Sequence, residues 1–236
     1  MKKIIGFVAI AVCIASLFTS CGGKKVLDEL GIGGLEFRSD NTILSYKSSE
    51  RGMTYVFPAE MRNGKKVENV HIGFFSKKKQ VPKNNTVIFK EGIKLVTIND
   101  IYGAGKYKFP SSCKTVTITW FGNRSFTNKN KLPKTVEKLY IEKIYGKDSY
   151  GKLQSVTIPA VKEIYITRGC AISADDFKFL DPNQVIIMEY HSNSNKWMNT
   201  AKDDAEALEW IDNLEHVSKA GKEKLKKHIK PVDLDK

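Results

Sequence analysis

The sequence predicts a mostly β chain, a repeat solenoid of about five to six coils with a helical cap at its C-terminal end. Two recurring marks and one change of period predict it. The first mark is an apolar residue, two free positions, an apolar residue, one free position, then Ile. It occurs at Val67-Val70-Ile72, Ile93-Val96-Ile98, Cys113-Val116-Ile118, Val136-Leu139-Ile141, Leu153-Val156-Ile158 and Val161-Ile164-Ile166. The second is a proline after a large apolar residue, at Phe57-Pro58, Val81-Pro82, Phe109-Pro110, Leu132-Pro133 and Ile158-Pro159, with Pro182 two residues after Leu180. These prolines lie 24, 28, 23, 26 and 23 residues apart. The change of period comes after Tyr190, where strand-like alternation gives way to helical spacing.

The chain opens Met1-Lys2-Lys3, runs uncharged from Ile4 to Phe18 and reaches Ser20-Cys21-Gly22-Gly23. A positive start, a short apolar run and a small-residue exit describe a secretory signal over residues 1–20, too short for the roughly 20 apolar residues of a membrane span. The cysteine at that exit resembles the lipobox of bacterial lipoproteins. The resemblance implies diacylation of the Cys21 thiol after cleavage just before it, and Gly22 in the following position implies sorting to the outer membrane. At about 0.8 kcal/mol per buried methylene, two or three acyl chains would hold the chain on a membrane permanently. An ordinary cleaved signal with an incidental cysteine is the alternative.

The formal charge of +13 falls to +11 when Lys2 and Lys3 leave with the signal. From Ala201 onward eight lysines face nine acids, so the positive excess sits in the repeats, densest at Lys77-Lys78-Lys79. In an exported chain this excess points to anionic lipid head groups or acidic glycans, and nucleic acid is not an expected partner. Solubility alone also accounts for it. Cys113 and Cys170 are expected as buried thiols: strands two coils apart, at about 4.8 Å per strand, exceed the roughly 7 Å limit between Cα atoms of a disulfide.

Residues 21–40 read as a glycine-rich tether, with Val26 to Leu30 as a short helical turn. Residues 41–190 hold the array, in which Asn41 to Tyr46 and Met53 to Phe57 are capping strands. In each repeat the last three positions alternate in, out, in, and the earlier apolar residue marks the bend into the strand. Prolines fall at bends, where no ladder hydrogen bond is lost. Three buried aliphatic side chains contribute about 1.5 to 3 kcal/mol each, against about 1 to 2 kcal/mol for ordering each of some 25 residues. A coil alone cannot fold, so neighbours must stack.

Leu153-Gln154-Ser155-Val156-Thr157-Ile158-Pro159-Ala160-Val161-Lys162-Glu163-Ile164 resembles the BspA-type leucine-rich repeat of bacterial surface proteins, echoed at Leu132-Pro133 to Val136 and Phe109-Pro110 to Cys113. The resemblance implies a leucine-rich-repeat solenoid over roughly Tyr55 to Met188. A β-sandwich of similar strand spacing remains open.

The residue between the last two apolar positions faces outward, giving a column of His71, Thr97, Thr117, Tyr140, Thr157 and Tyr165. If Leu153 to Pro159 forms the partner face of its coil, Tyr140 and Tyr165 are neighbours that stack as a platform for a sugar ring or peptide. Threonine and tyrosine also simply favour strands. In residues 191–236, Thr200 with Asp203 starts a helix. Ala207, Trp210, Ile211, Leu214 and Val217 form its apolar stripe, Gly221 ends it, and Leu225 and Ile229 mark a second helix closed by Pro231. A helical cap would cover the open last strand.

The histidines His71, His191, His216 and His228 lie in different elements, with no carboxylate or cysteine at ligand spacing, so no metal, cofactor or catalytic residue is assigned. Gly103-Ala104-Gly105-Lys106 lacks the upstream glycine and following hydroxyl of a phosphate loop. The sequence thus points to a lipid-anchored envelope protein that binds a macromolecule, an envelope protein, glycan or anionic polymer, without catalysis. Its contacts would be the lysine-rich turns and the outward column: His71, Thr117, Tyr140, Tyr165, Lys77, Lys78 and Lys79. A structural or assembly lipoprotein and a degenerate hydrolase are the alternatives.

Overall fold

A computed structural model describes residues 24–28, 35–37, 40–45, 53–72, 85–100, 105–122, 131–147, 150–193 and 199–236. The signal segment, Cys21 and Lys77-Lys78-Lys79 lie outside these. The described chain is mostly β and contains a β-solenoid of about four turns.

The chain alternates between faces. β1 (Lys24–Val26) lies on a narrow sheet, and β2 (Leu35–Phe37) and β3 (Thr42–Ser45) on a broad one. β4 (Thr54–Phe57) returns to the narrow sheet, β5 (Asn69–Ile72) to the broad, β6 (Asn85–Phe89) to the narrow, β7 (Leu95–Asp100) to the broad, β8 (Gly105–Lys108) to the narrow. β9 (Thr115–Gly122) and β10 (Lys138–Tyr145) are both broad-sheet strands. β11 (Val156–Ile158) and β13 (Phe177–Phe179) then make a separate two-stranded sheet, between which β12 (Glu163–Ser173) runs in the broad sheet, and β14 (Ile186–Tyr190) follows. Helices α1 (Asp204–Asp212) and α2 (Lys219–His228) lead to β15 (Ile229–Asp233).

The broad sheet holds nine strands side by side in sequence order, all parallel except the β2–β3 pair. Register explains the recurring pattern. Val70, Val96, Val116, Leu139, Ile164 and Ile186 are aligned partners along one inward column, all 0% exposed. Ile72, Ile98, Ile118, Ile141, Ile166 and Met188 make the next column, each 3% exposed or less. Val67, Ile93, Cys113, Val136 and Val161 are buried at the bends before their strands.

One match is on the other face. Val156 and Ile158 are buried in β11, paired with Phe177 and Phe179 rather than with the broad sheet. The pattern records burial on one side of a strand, and both faces of a coil bury one side, so it marks strands without naming their sheet. Four prolines fall where the chain leaves the opposite face: Pro58 after β4, Pro110 just beyond β8, Pro159 after β11 and Pro182 beyond β13. Inside, Phe57, Phe89 and Phe109 stack in turn at 5.6 and 5.5 Å.

Several local expectations are corrected. Lys24–Val26, expected as tether with Val26 opening a helical turn, is a strand beside β4. β3 and β4, expected as capping strands, pair in parallel register with β5 and β6. Asp203, not Thr200, caps α1, accepting from Glu206 N at 2.9 Å, while Thr200 bridges His191. Gly221 does not end a helix; it lies inside α2, buried, because a side chain there would meet Asp175 O at 2.5 Å. Pro231 sits in β15, which pairs with β14 on one side only. A strand, not a helix, therefore occupies the edge of β14. A proline is tolerated there because an edge strand has a side with no ladder to complete.

Cys113 and Cys170 are both buried and unbridged, Cys113 at a bend and Cys170 within β12. Burial pushes each thiol up to about 12.

Candidate binding face on the broad sheet

Strands that alternate in and out leave every second residue of the broad sheet facing outward. In register, His71, Thr97, Thr117, Tyr140, Tyr165, Ile187 and Lys230 form one column. Thr157, expected in this column, is absent from it because β11 belongs to the opposite face. Its removal makes Tyr140 and Tyr165 direct partners. Their rings stack with centroids 4.7 Å apart and planes 14° from parallel. The separation matches the spacing of neighbouring strands, so sheet register alone brings the rings together.

His71 stands three strands from Tyr140, about 14 Å away at strand spacing, and bonds Asn99 instead, Nε2 to Oδ1 at 3.2 Å. Thr119 donates to the same oxygen at 3.3 Å. His71 therefore shares the column but not the tyrosine site.

One end of the tyrosine pair is pinned. Tyr165 donates its hydroxyl to Glu163 Oε2 at 2.6 Å, and Lys138 Nζ reaches that oxygen at 3.4 Å and stands 5.7 Å from the Tyr165 ring centre. These contacts shift Glu163, Tyr165 and Lys138. The Tyr165 hydrogen bond, then Lys138, hold the Glu163 carboxyl below its usual range. Glu163 in return raises Tyr165 and Lys138.

The other end is open. Two residues beyond Tyr140 and Tyr165 on the same strands come Glu142 and Thr167, and Glu189 is the register partner of Thr167. With Thr117 and the two tyrosines they line a groove of about 330 Å³, to which Ile141 and Ile166 also contribute. Burial raises the Glu189 carboxyl above its ordinary value. Glu142, Thr167 and Glu189 escaped the sequence reading, although the signal was present: a residue two positions past an outward one shares its face.

Past this row the alternation breaks. Register shifts between Ile141 and Lys143, where β12 carries extra residues. Beyond the shift, Trp120 and Tyr145 meet edge to face at 6.0 Å, with Lys143 4.5 Å over Trp120 and Lys147 5.5 Å over Tyr145.

Lysines at the entry side of the sheet are paired between coils. Lys94 bonds Glu68 at 2.6 Å, Lys114 bonds Glu137 at 3.1 Å, and Lys138 meets Glu163 at 3.4 Å. Compared with family models, curated proteins and solved structures, the chain matches none.

Proposed function

We propose that this chain is a lipid-anchored cell-envelope protein, held through Cys21 at the outer membrane, that presents the outer face of its broad sheet to a macromolecule and performs no catalysis. The single observation that carries the reading is the stacked Tyr140–Tyr165 pair beside a groove on the outer face of the broad sheet. Paired aromatic rings, partly exposed on a regular sheet, are a fixed contact surface needing little ordering on binding. The signal-like segment and Cys21 support the anchor. In this reading the coils are degenerate leucine-rich repeats of the BspA type, supported by the run from Leu153 to Ile164. The two C-terminal helices with β15 close that end of the array.

The test places a photo-crosslinking residue at Thr167 on the groove, and in a second variant at Lys178 on the opposite face, in cells producing the full chain. Thr167 is expected to capture an envelope component that Lys178 does not. Equal capture at both positions, or none, contradicts the assignment of the face. Labelling with palmitate, lost in Cys21→Ser, tests the anchor separately. A structural or assembly role would show instead as one stoichiometric protein captured at Thr167.

A further inference from the structure

The lining of the tyrosine groove differs in sign from the molecule as a whole, and that difference selects a ligand. The chain carries a formal charge of +13, which opposes the approach of a cation. Among the groove's lining residues there are two carboxylates, Glu142 and Glu189, and no cationic side chain. Lys138 and Glu163, on the row to the other side, offset one another. An acidic polymer would set its charges against Glu142 and Glu189, where like charges in contact are costly. What meets neither objection is a ligand without charge.

Its shape follows from the rings. Tyr165 covers one face of Tyr140. Along the sheet on the other side, the register partners are Thr117 and then Thr97, both short. The free face of Tyr140 thus looks across a low threonine floor, and a flat ring with an apolar side fits against it. Beside the aromatic row stand Glu142, Thr167 and Glu189, which supply carboxylate and hydroxyl acceptors and one hydroxyl donor. An apolar ring face bordered by hydroxyl groups is the chemistry of a pyranose. A volume of about 330 Å³ is at the low end for ligand sites, enough for one or two sugar rings of a chain that continues along the sheet.

We propose that this groove binds a neutral glycan, one pyranose unit stacked on the free face of Tyr140 and bonded to Glu142, the adjoining unit running along the row toward Thr167 and Glu189. The proposal rests on the reading of the broad sheet's outer face as the contact surface.

The experiment is calorimetric titration of the full chain, held in a detergent without a sugar head group, with neutral gluco-, manno- and galacto-hexasaccharides. Heparin and hexalysine are the charged contrasts. At least one neutral hexasaccharide should bind with an affinity unchanged between about 50 and 500 mM salt, since screening acts only on charges. Tyr140→Ala should weaken it about tenfold or more, and Tyr140→Phe, which keeps the ring, by less than about threefold. Thr117→Trp, which fills the floor and covers the ring, should abolish binding while thermal unfolding of the variant stays cooperative. That variant keeps the test decisive if Tyr140→Ala misfolds. Binding of heparin or hexalysine lost in Thr117→Trp, with no neutral sugar bound, overturns the ligand class and leaves the contact face standing. So does crosslinking at Thr167 to a protein alone. If no probe binds and Thr167 captures nothing, the contact face falls as well.

Discussion

Gly221→Ala separates two readings of one residue by the sign of its effect. As an ordinary interior helix position, replacing glycine with alanine should stabilise α2 by up to about 1 kcal/mol. The structure predicts the reverse. A β-carbon at Gly221 would lie 2.5 Å from the backbone oxygen of Asp175 and 3.1 Å from both Ser218 Oγ and Val217 Cγ1. The carbonyl cannot swing away freely, because it also accepts from Ser218 Oγ at 2.6 Å, and Ser218 in turn caps α2 by accepting from Gly221 N at 3.1 Å. Relieving the contact therefore moves the helix away from Asp175 and strains the cap. Overpacking costs about 1–3 kcal/mol and a weakened cap about 1 kcal/mol, offset by the gain in propensity. The net expectation is a loss of about 1–3 kcal/mol, or roughly 2–10 °C in Tm for a chain of this size. Urea unfolding followed by tryptophan fluorescence measures it, with Lys222→Ala as a neighbouring control. Unchanged or increased stability in Gly221→Ala would refute the close approach of α2 to Asp175.

Leu139→Ala removes a fully buried side chain flanked in register by Val116 and Ile164. It should cost about 2–5 kcal/mol, and a loss under 1 kcal/mol in urea unfolding would mean that this column is not the core. Glu91 accepts from Ser111 N, Ser111 Oγ and Ser112 N of the next coil, with the Ser111 backbone bond first in holding its carboxyl below 4.5. A depressed carboxyl stabilises above its unfolded value and ceases to as pH falls through the folded one. Glu91→Gln should thus melt below wild type at pH 7, with the gap closing below about pH 4; a gap independent of pH would contradict this. Glu189, raised by burial, has the opposite sign. Its ionised form is disfavoured on folding, so the penalty is present above the folded value and disappears below the unfolded one. Glu189→Gln should raise Tm at pH 7 and leave it unchanged near pH 3. Cys113 and Cys170 should resist a thiol reagent in the native state and react only on unfolding in urea, since the thiolate is the reactive form.

The order of the strands was legible because burial in a coil recurs at fixed positions, and the sequence preserves that recurrence even where the full repeat has decayed. Sheet assignment was not. Leu153-Val156-Ile158 carries the same pattern as its neighbours yet lies on the opposite face, since the pattern reports only which side of a strand is dry. Gly221 and Pro231 were misread for a related reason. Glycine commonly ends helices and proline breaks them, but these preferences concern the local backbone. What decides each residue is a partner far along the chain, Asp175 O for Gly221 and the β14 edge for Pro231.

The candidate site was half legible on the same terms. Tyr140 and Tyr165 could be paired from sequence only on the condition that the intervening strand belongs elsewhere, and the topology supplies that condition. Once two outward residues are partners in adjacent parallel strands, their distance is the strand spacing, and aromatic rings at that distance stack without further design. The acidic row was overlooked because net charge drew the reading toward lysines. Yet Lys94 and Lys114 are satisfied by carboxylates of neighbouring coils, while Glu142 and Glu189 line the groove. Total charge governs how a ligand approaches over distances near the Debye length, about 8 to 10 Å. At contact, the side chains within a few ångströms decide, and here they are two tyrosines, two threonines and two carboxylates. A positively charged protein whose groove is acidic has separated these two roles, so its affinity for polyanions, where present, should reside elsewhere than in the groove and survive Tyr140→Ala. If that substitution weakened heparin retention as much as sugar binding, the separation itself would be wrong.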